Sequence, residues 1–336
     1  MFRVRATRQR LVFVVASLAA ALALTLLAGT LAGVGGVDWH RALGAPGSPE
    51  HAIVFRVRLP RALLGATVGA ALAAAGVTFQ TLVRNPLADP YVLGVSSGAA
   101  VGAALEIFLG VGRGLGLPSC AFVGATVAIA LVYRLGLVDG RLVPHVALLS
   151  GVVFNAFSWA IIVLLASLSR QGATGEMLLW LLGALGAPEW PRLMGAAAAT
   201  AAGIGLLAWW APRMNALALG DEGAHSLGID VARTRAGLLL AASFLTAVAV
   251  ASAGPIGFVG IIVPHTLRLA IGPDHRLLIP ASALGGAVFL GACDTLTRLA
   301  FIPLGSEPPV SVLTALIGGP FFLLLLSRGR RLRIEL

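Results

Sequence analysis

The chain has 336 residues, of which 58% are hydrophobic and 11% charged, with a mean hydropathy of +0.94 and a formal net charge of +10. A soluble domain carries about 25% charged residues and about 45–50% apolar ones, so this composition excludes a soluble enzyme, a disulfide scaffold and a disordered chain. All 24 basic residues are arginine, which removes a phosphate-loop lysine and a Schiff-base lysine, and with them a Walker-type ATP site on this chain.

Arg3, Arg5, Arg8 and Arg10 make residues 1–10 a basic tail ahead of the apolar run Leu11–Gly33. That run exceeds a signal-peptide core of about 7–15 residues, so it predicts a retained first span. A polar stretch rich in Pro and Gly, Val34–Glu50, comes next. Further apolar runs are Leu59–Leu82, Leu93–Val111, Pro118–Val138, His145–Leu168, Pro191–Ala211, Ala236–Ala253, Pro255–Ile271, Leu278–Ala300 and Val310–Ser327. Together they predict ten spans, an even number that puts both termini on one side of a lipid bilayer. With the N-terminus inside, sixteen of the 24 arginines are cytoplasmic, the direction the positive-inside rule requires. The eighth run is short and flanked by Gly254-Pro255 and Pro264, which leaves nine spans plus a re-entrant segment as the alternative.

The arginines are scattered between apolar runs rather than gathered, which argues against a nucleic-acid partner. Cys120 and Cys293 lie in or beside apolar runs without ligand-spaced neighbours and read as packing residues, with no disulfide and no metal expected. The histidines are dispersed, and no His-Glu-x-x-His pattern occurs. Gly65, Gly69 and Gly76 stand at helical spacings in the second span, a small-residue seam for close helix approach.

Three segments are polar where a plain bundle has no need of it. The first is Arg58-Leu59-Pro60-Arg61 at the outer start of span two; Arg58 and Arg61 there read as interfacial anchors, and Arg298 as a partner of Asp294 one helical turn earlier. The second, Arg84-Asn85-Pro86-Leu87-Ala88-Asp89-Pro90, is a turn on chemical grounds, followed by Leu93-Gly94-Val95-Ser96-Ser97-Gly98, whose hydroxyls are placed to meet free amides at a helix start. The third is an inner loop, residues 212–235, read as short helices broken by Gly220 and Gly228. Asp221 and Glu222 stand near the start of a short amphipathic segment, where the helix dipole favours negative charge. Leu217, Leu219 and Leu227 are apolar residues there without a membrane to cover. Within the spans, Gln80, Asn155 and Ser158 are polar and mark either a pathway or helix-to-helix hydrogen bonds.

These segments, in order, with Gly254-Pro255-Ile256-Gly257-Phe258-Val259-Gly260 running into Val263-Pro264-His265 and Arg268, resemble the FecCD family over Val54 to Ser327. Its members are permeases of ABC importers for ferric siderophores, haem and vitamin B12. The resemblance implies an all-α integral membrane fold, the ten-transmembrane-helix type II ABC importer permease. It implies a homodimer in a bacterial inner membrane, with two cytoplasmic ABC ATPase subunits, an extracytoplasmic binding protein and no cofactor of its own. Leu217, Leu219, Gly220, Asp221, Glu222, Leu227 and Gly228 would then form the coupling segment seated in the ATPase. Arg58, Arg61 and Arg298 would meet acidic residues of the binding protein. Family precedent puts span five beside the pathway, which favours Asn155, and an inner gate near Val143, Pro144 and His145, where no gate hydroxyl is apparent. The expected cargo is an iron chelate, haem or cobalamin, with ferric chelates placed first. The rival reading, an ion-coupled secondary transporter, wants acidic residues buried near mid-membrane; Glu106 and Asp294 are the candidates, and both lie towards span ends.

Overall fold

The computed structural model describes residues 8–33, 36–86, 88–89, 91, 94–110, 116–138, 140–169, 171–300 and 307–334. Expectations placed on residues 1–7, Leu87, Pro90, Leu93 and Val111 lie outside them. The regular structure of the described residues is helical apart from one antiparallel ladder of two residues a side, β1 (Leu137–Val138) and β2 (Arg141–Leu142). The helices are α1 (Arg8–Leu31), α2 (Trp39–Gly44), α3 (Pro49–Ala52), α4 (Leu59–Val83), α5 (Val95–Leu109), α6 (Leu117–Leu135), α7 (Pro144–Leu168) and α8 (Gln171–Leu181). After these come α9 (Trp190–Leu217), α10 (Asp221–Ser226), α11 (Val231–Ala253), α12 (Val259–Ile271), α13 (His275–Ala300) and α14 (Val310–Ile334). Among the described residues, seven helices are long and apolar enough to cross a membrane. Three shorter apolar helices, α5, α12 and the Val310–Leu324 part of α14, accompany them.

Burial decides the architecture. The apolar windows of α4, α11 and α13 are 78%, 72% and 72% buried, against 6% for α1. The bundle is therefore built around α4, with α13, α11, α9 and α12 packed on it and α1 outside, against α13. The glycine seam explains how they come so close. A Cβ on Gly69 would overlap the carbonyl of Gly286 in α13, and one on Gly76 would overlap the carbonyl of Gly260 in α12. Without a hydrophobic drive between helices in lipid, this backbone-to-backbone packing supplies the attraction.

Two of the ten expected spans are helices too short to reach across a bilayer. At 1.5 Å per residue α5 is about 22 Å long and α12 about 20 Å, below the roughly 30 Å of a hydrocarbon core. In α12 the reason is Gly254-Pro255-Ile256-Gly257, which leaves 254–258 outside the helix and puts Phe258 at φ +70. In α5 the helix begins only at Val95, after Gly94 at φ +79. At the start of span two the helical conformation begins earlier than expected, at Pro49, and passes through a π-helical turn, Ile53–Arg58. Pro60 has no N–H to close a regular turn with Arg56, and the wider register absorbs that loss. Helix α8, between spans five and six, was not expected at all.

Candidate functional site

At one end of the bundle α9 continues through Pro212 to Leu217, and α11 starts at Val231. The segment between them is therefore 218–230, shorter than the inner loop 212–235 expected. Leu217 is corrected with it: only 3% exposed, it belongs to the core of the bundle. Leu219 and Leu227, by contrast, are 71% and 62% exposed. Between them Gly220, at φ +102, turns the chain into α10, a conformation that favours glycine. Gly228, at φ +76, turns it out again. Asp221 and Glu222 occupy the first turn of α10, where the helix dipole favours them.

The Asp221 carboxylate takes two arginines at once. Arg84, at φ +53 just after α4, forms an ion pair with it, and Arg235 of α11 donates from Nη2 at 2.7 Å. One side chain thus ties the exposed segment to the turn between α4 and α5 and to α11. A hollow of about 750 Å³ beside it runs from Asp221 and His225 to Leu142 of β2. That hairpin leads into Val143, which donates its N–H to the Gly136 carbonyl, then Pro144 at the first position of α7 and the exposed His145. The segment expected to couple and the expected gate are therefore neighbours along one surface.

A second cluster at this end joins three core helices. The His275 ring nitrogens lie 2.7 Å from Asn215 Oδ1 and 2.7 Å from Thr81 Oγ1, while Asn215 Nδ2 donates to Asp274 at 2.8 Å. The ends of α9, α13 and α4 are locked together by it.

Within the bundle, Asn155 of α7 donates from Nδ2 to the Tyr91 carbonyl at 3.1 Å and accepts from the Ser97 hydroxyl at 2.6 Å. Ser97 thus meets a side-chain oxygen rather than the free amides expected of it. These residues line a cavity of about 650 Å³ between α5, α7 and α8, otherwise walled by apolar side chains such as Trp159. Asn155 thus lies at the wall of a cavity. Gln80 does not: it is buried between α4 and α12, donating from Nε2 to the Gly260 carbonyl at 3.1 Å. Ser158 is fully buried one turn beyond Asn155, away from the lining.

At the far end of the bundle two of the three arginines, Arg61 and Arg298, meet one acid. Asp294, 2% exposed, is 2.9 Å from Arg61 and 3.1 Å from Arg298, and Arg61 also reaches Glu307 at 3.0 Å. Arg58 and Arg298 were expected to face a partner. Both are turned inward, 5% and 4% exposed, because the last carbonyls of α1 need donors. Arg58 Nη1 donates to Leu31, and Arg298 donates to Gly29 and Ala32, all at 3.0–3.1 Å.

The family model for the FecCD transport family matches residues 11–328. The chain belongs to the FecCD transport family. Among FecCD relatives, the chain is 46% identical over 307 residues to the cobalamin import system permease BtuC of Halobacterium salinarum, covering 89% of this chain and 82% of that one. It is 41% identical to the hemin transport system permease HmuU of Yersinia pestis, covering 84% and 85%. It is 38% identical to the Fe(3+) dicitrate transport system permease FecD of Escherichia coli, covering 95% and 98%. A solved inward-facing metal-chelate type ABC transporter superposes with a TM-score of 0.82 at 30% identity, over 94% of this chain and 99% of that one. For this FecCD chain, sequence reasoning missed the Arg84–Asp221 pair and the His275–Asn215–Thr81 cluster. Their members are far apart in the chain and carried no local signal; only Asp294 with Arg298, one turn apart, did.

Proposed function

We propose that this chain passes an iron chelate, haem or cobalamin inward as the permease subunit of an ABC importer, with ferric chelates first. It is a transport permease, as the family and its relatives are. The cargo classes come from those relatives, which are named for cobalamin, hemin and ferric dicitrate. In this reading two copies enclose the path, both termini are cytoplasmic, and two separate ATPase subunits hydrolyse ATP. A binding protein delivers the cargo at the opposite face.

One observation carries the coupling role: Leu219 and Leu227 stand uncovered on a segment whose Asp221 grips both Arg84 and Arg235. An ATPase seated on those leucines moves α10, and the ion pairs pass the displacement to the α4–α5 turn and α11. A rigid shift of this kind is a known way of alternating access. Asn155 and its cavity then lie on the cargo side, and Val143, Pro144 and His145 at the inner mouth. At the opposite face the binding protein would meet Arg61 and Glu307, with Arg58 and Arg298 positioning Arg61 from behind. The ion-coupled reading loses one of its two candidates, since Asp294 is held between two arginines.

The test is uptake in vesicles holding the chain with its ATPase and binding protein. Vanadate-sensitive accumulation that needs all three is expected. Accumulation by the chain alone, driven by an ion gradient, would overturn the proposal.

A further inference from the structure

At the end of the bundle remote from α10, a slot of about 630 Å³ opens between α6, α9 and α11, with Leu64 of α4 at its back. Its polarity changes along the helix axes. Ser119 in the first turn of α6, Arg192 in the first turn of α9 and Ser252 in the last turn of α11 stand at the mouth, whereas Phe122, Ala196 and Val248 line the depth. Ala196 lies one turn, about 6 Å, below Arg192, so the slot runs parallel to the membrane-spanning helices. Arg192 is exposed, and among the described residues no carboxylate pairs with it, Glu189 three positions earlier included. Glycine keeps one wall open: a Cβ on Gly195 or Gly186 would meet nothing within 4 Å.

A cation at the level of the helix ends above an apolar channel complements a phosphate diester carrying acyl chains. We infer that this slot holds one anionic phospholipid, its headgroup on Arg192 and an acyl chain against Phe122 and Val248. The bilayer's own components cover every lipid-facing helix, but a concave slot with a charge at its mouth selects among them. The inference does not depend on the transport reading.

Native mass spectrometry of the full chain in detergent tests it, titrating phosphatidylglycerol and, separately, phosphatidylcholine of the same chain length. Phosphatidylglycerol should half-saturate at about fivefold lower concentration, the scale of one arginine at a lipid surface. Arg192→Gln should abolish the preference between headgroups, and Gly195→Leu, which fills the slot, should weaken both lipids at an unchanged melting temperature. Equal binding of the two lipids by the unaltered chain overturns the inference. So does a preference that survives Arg192→Gln, undiminished binding in Gly195→Leu, or an oligomer that Gly195→Leu dissociates with lipid still bound.

Discussion

Gln80 donates its side-chain amide to the carbonyl of Gly260, 3.1 Å away on a different helix. Gly260 has that carbonyl to spare because Pro264, four residues on, has no N–H to close the α12 turn. The same carbonyl points at Gly76, one turn before Gln80, where only a missing Cβ leaves room. A residue that looks like a pathway polar group therefore repairs a proline-broken helix.

That relationship makes a double-mutant prediction. Gln80→Leu should destabilise the chain by about 1–3 kcal/mol, the penalty of a buried carbonyl left without a donor. Pro264→Ala supplies an N–H to the same oxygen, so the cost of Gln80→Leu should shrink in that background. Thermal unfolding in detergent of the four proteins measures the coupling, and strict additivity would refute it.

Asp294 is the charge on which the far end depends. Asp294→Asn leaves the buried Arg298 and the half-buried Arg61 with less compensation and should cost about 3–5 kcal/mol. Glu307→Gln removes a partner that is 40% exposed and should change stability by no more than about 1 kcal/mol. Melting temperatures of the two variants give the comparison; similar losses would argue against this division.

The segment proposed to couple should separate stability from transport. Leu227 is 62% exposed, so Leu227→Asp should alter the fold by about 0.5 kcal/mol or less while sharply lowering ATP-driven uptake. Gly220→Pro, at φ +102, should lower uptake as well, since proline cannot adopt that angle. Uptake and stimulated ATPase activity at the unaltered level in both variants would remove the coupling role.

Asp89, on the segment between α4 and α5, accepts from the backbone N–H groups of Tyr91 and Phe258, yet burial pushes its carboxyl up to about 6 from 3.8. The folded chain then binds this proton more tightly than the unfolded one. Its contribution is greatest below about pH 4, falls as pH rises and is lost through about pH 6. Relative to Asp89→Asn, the unaltered chain should lose stability across that window and hold a constant difference above it. Melting curves between about pH 4 and 7 check the sign; a difference that grows with pH would contradict it.

Much of this was written in the chain's own order. Apolar runs long enough to cross a bilayer, bounded by arginine, marked the helices that now form the bundle, because burial in lipid demands both apolar length and helical backbone. The glycine seam at Gly69 and Gly76 was legible for the same local reason, a helical spacing of small residues. Gly220 and Gly228 announced the breaks on either side of α10.

The partners of the charged and polar side chains were decided by tertiary structure alone. Arg58 and Arg298 read as surface charges, but the unsatisfied carbonyls ending α1 turn them inward, and that helix end lies hundreds of residues from Arg298. Gln80 and Asn155 looked alike as polar residues in apolar runs; one meets a carbonyl orphaned by Pro264 and the other a cavity. Leu217 and Leu219, two positions apart, were indistinguishable in sequence, yet α9 carries the first into the core and releases the second. Periodicity and composition are local properties of a chain, whereas the satisfaction of a buried hydrogen bond depends on which distant backbone the fold brings alongside it.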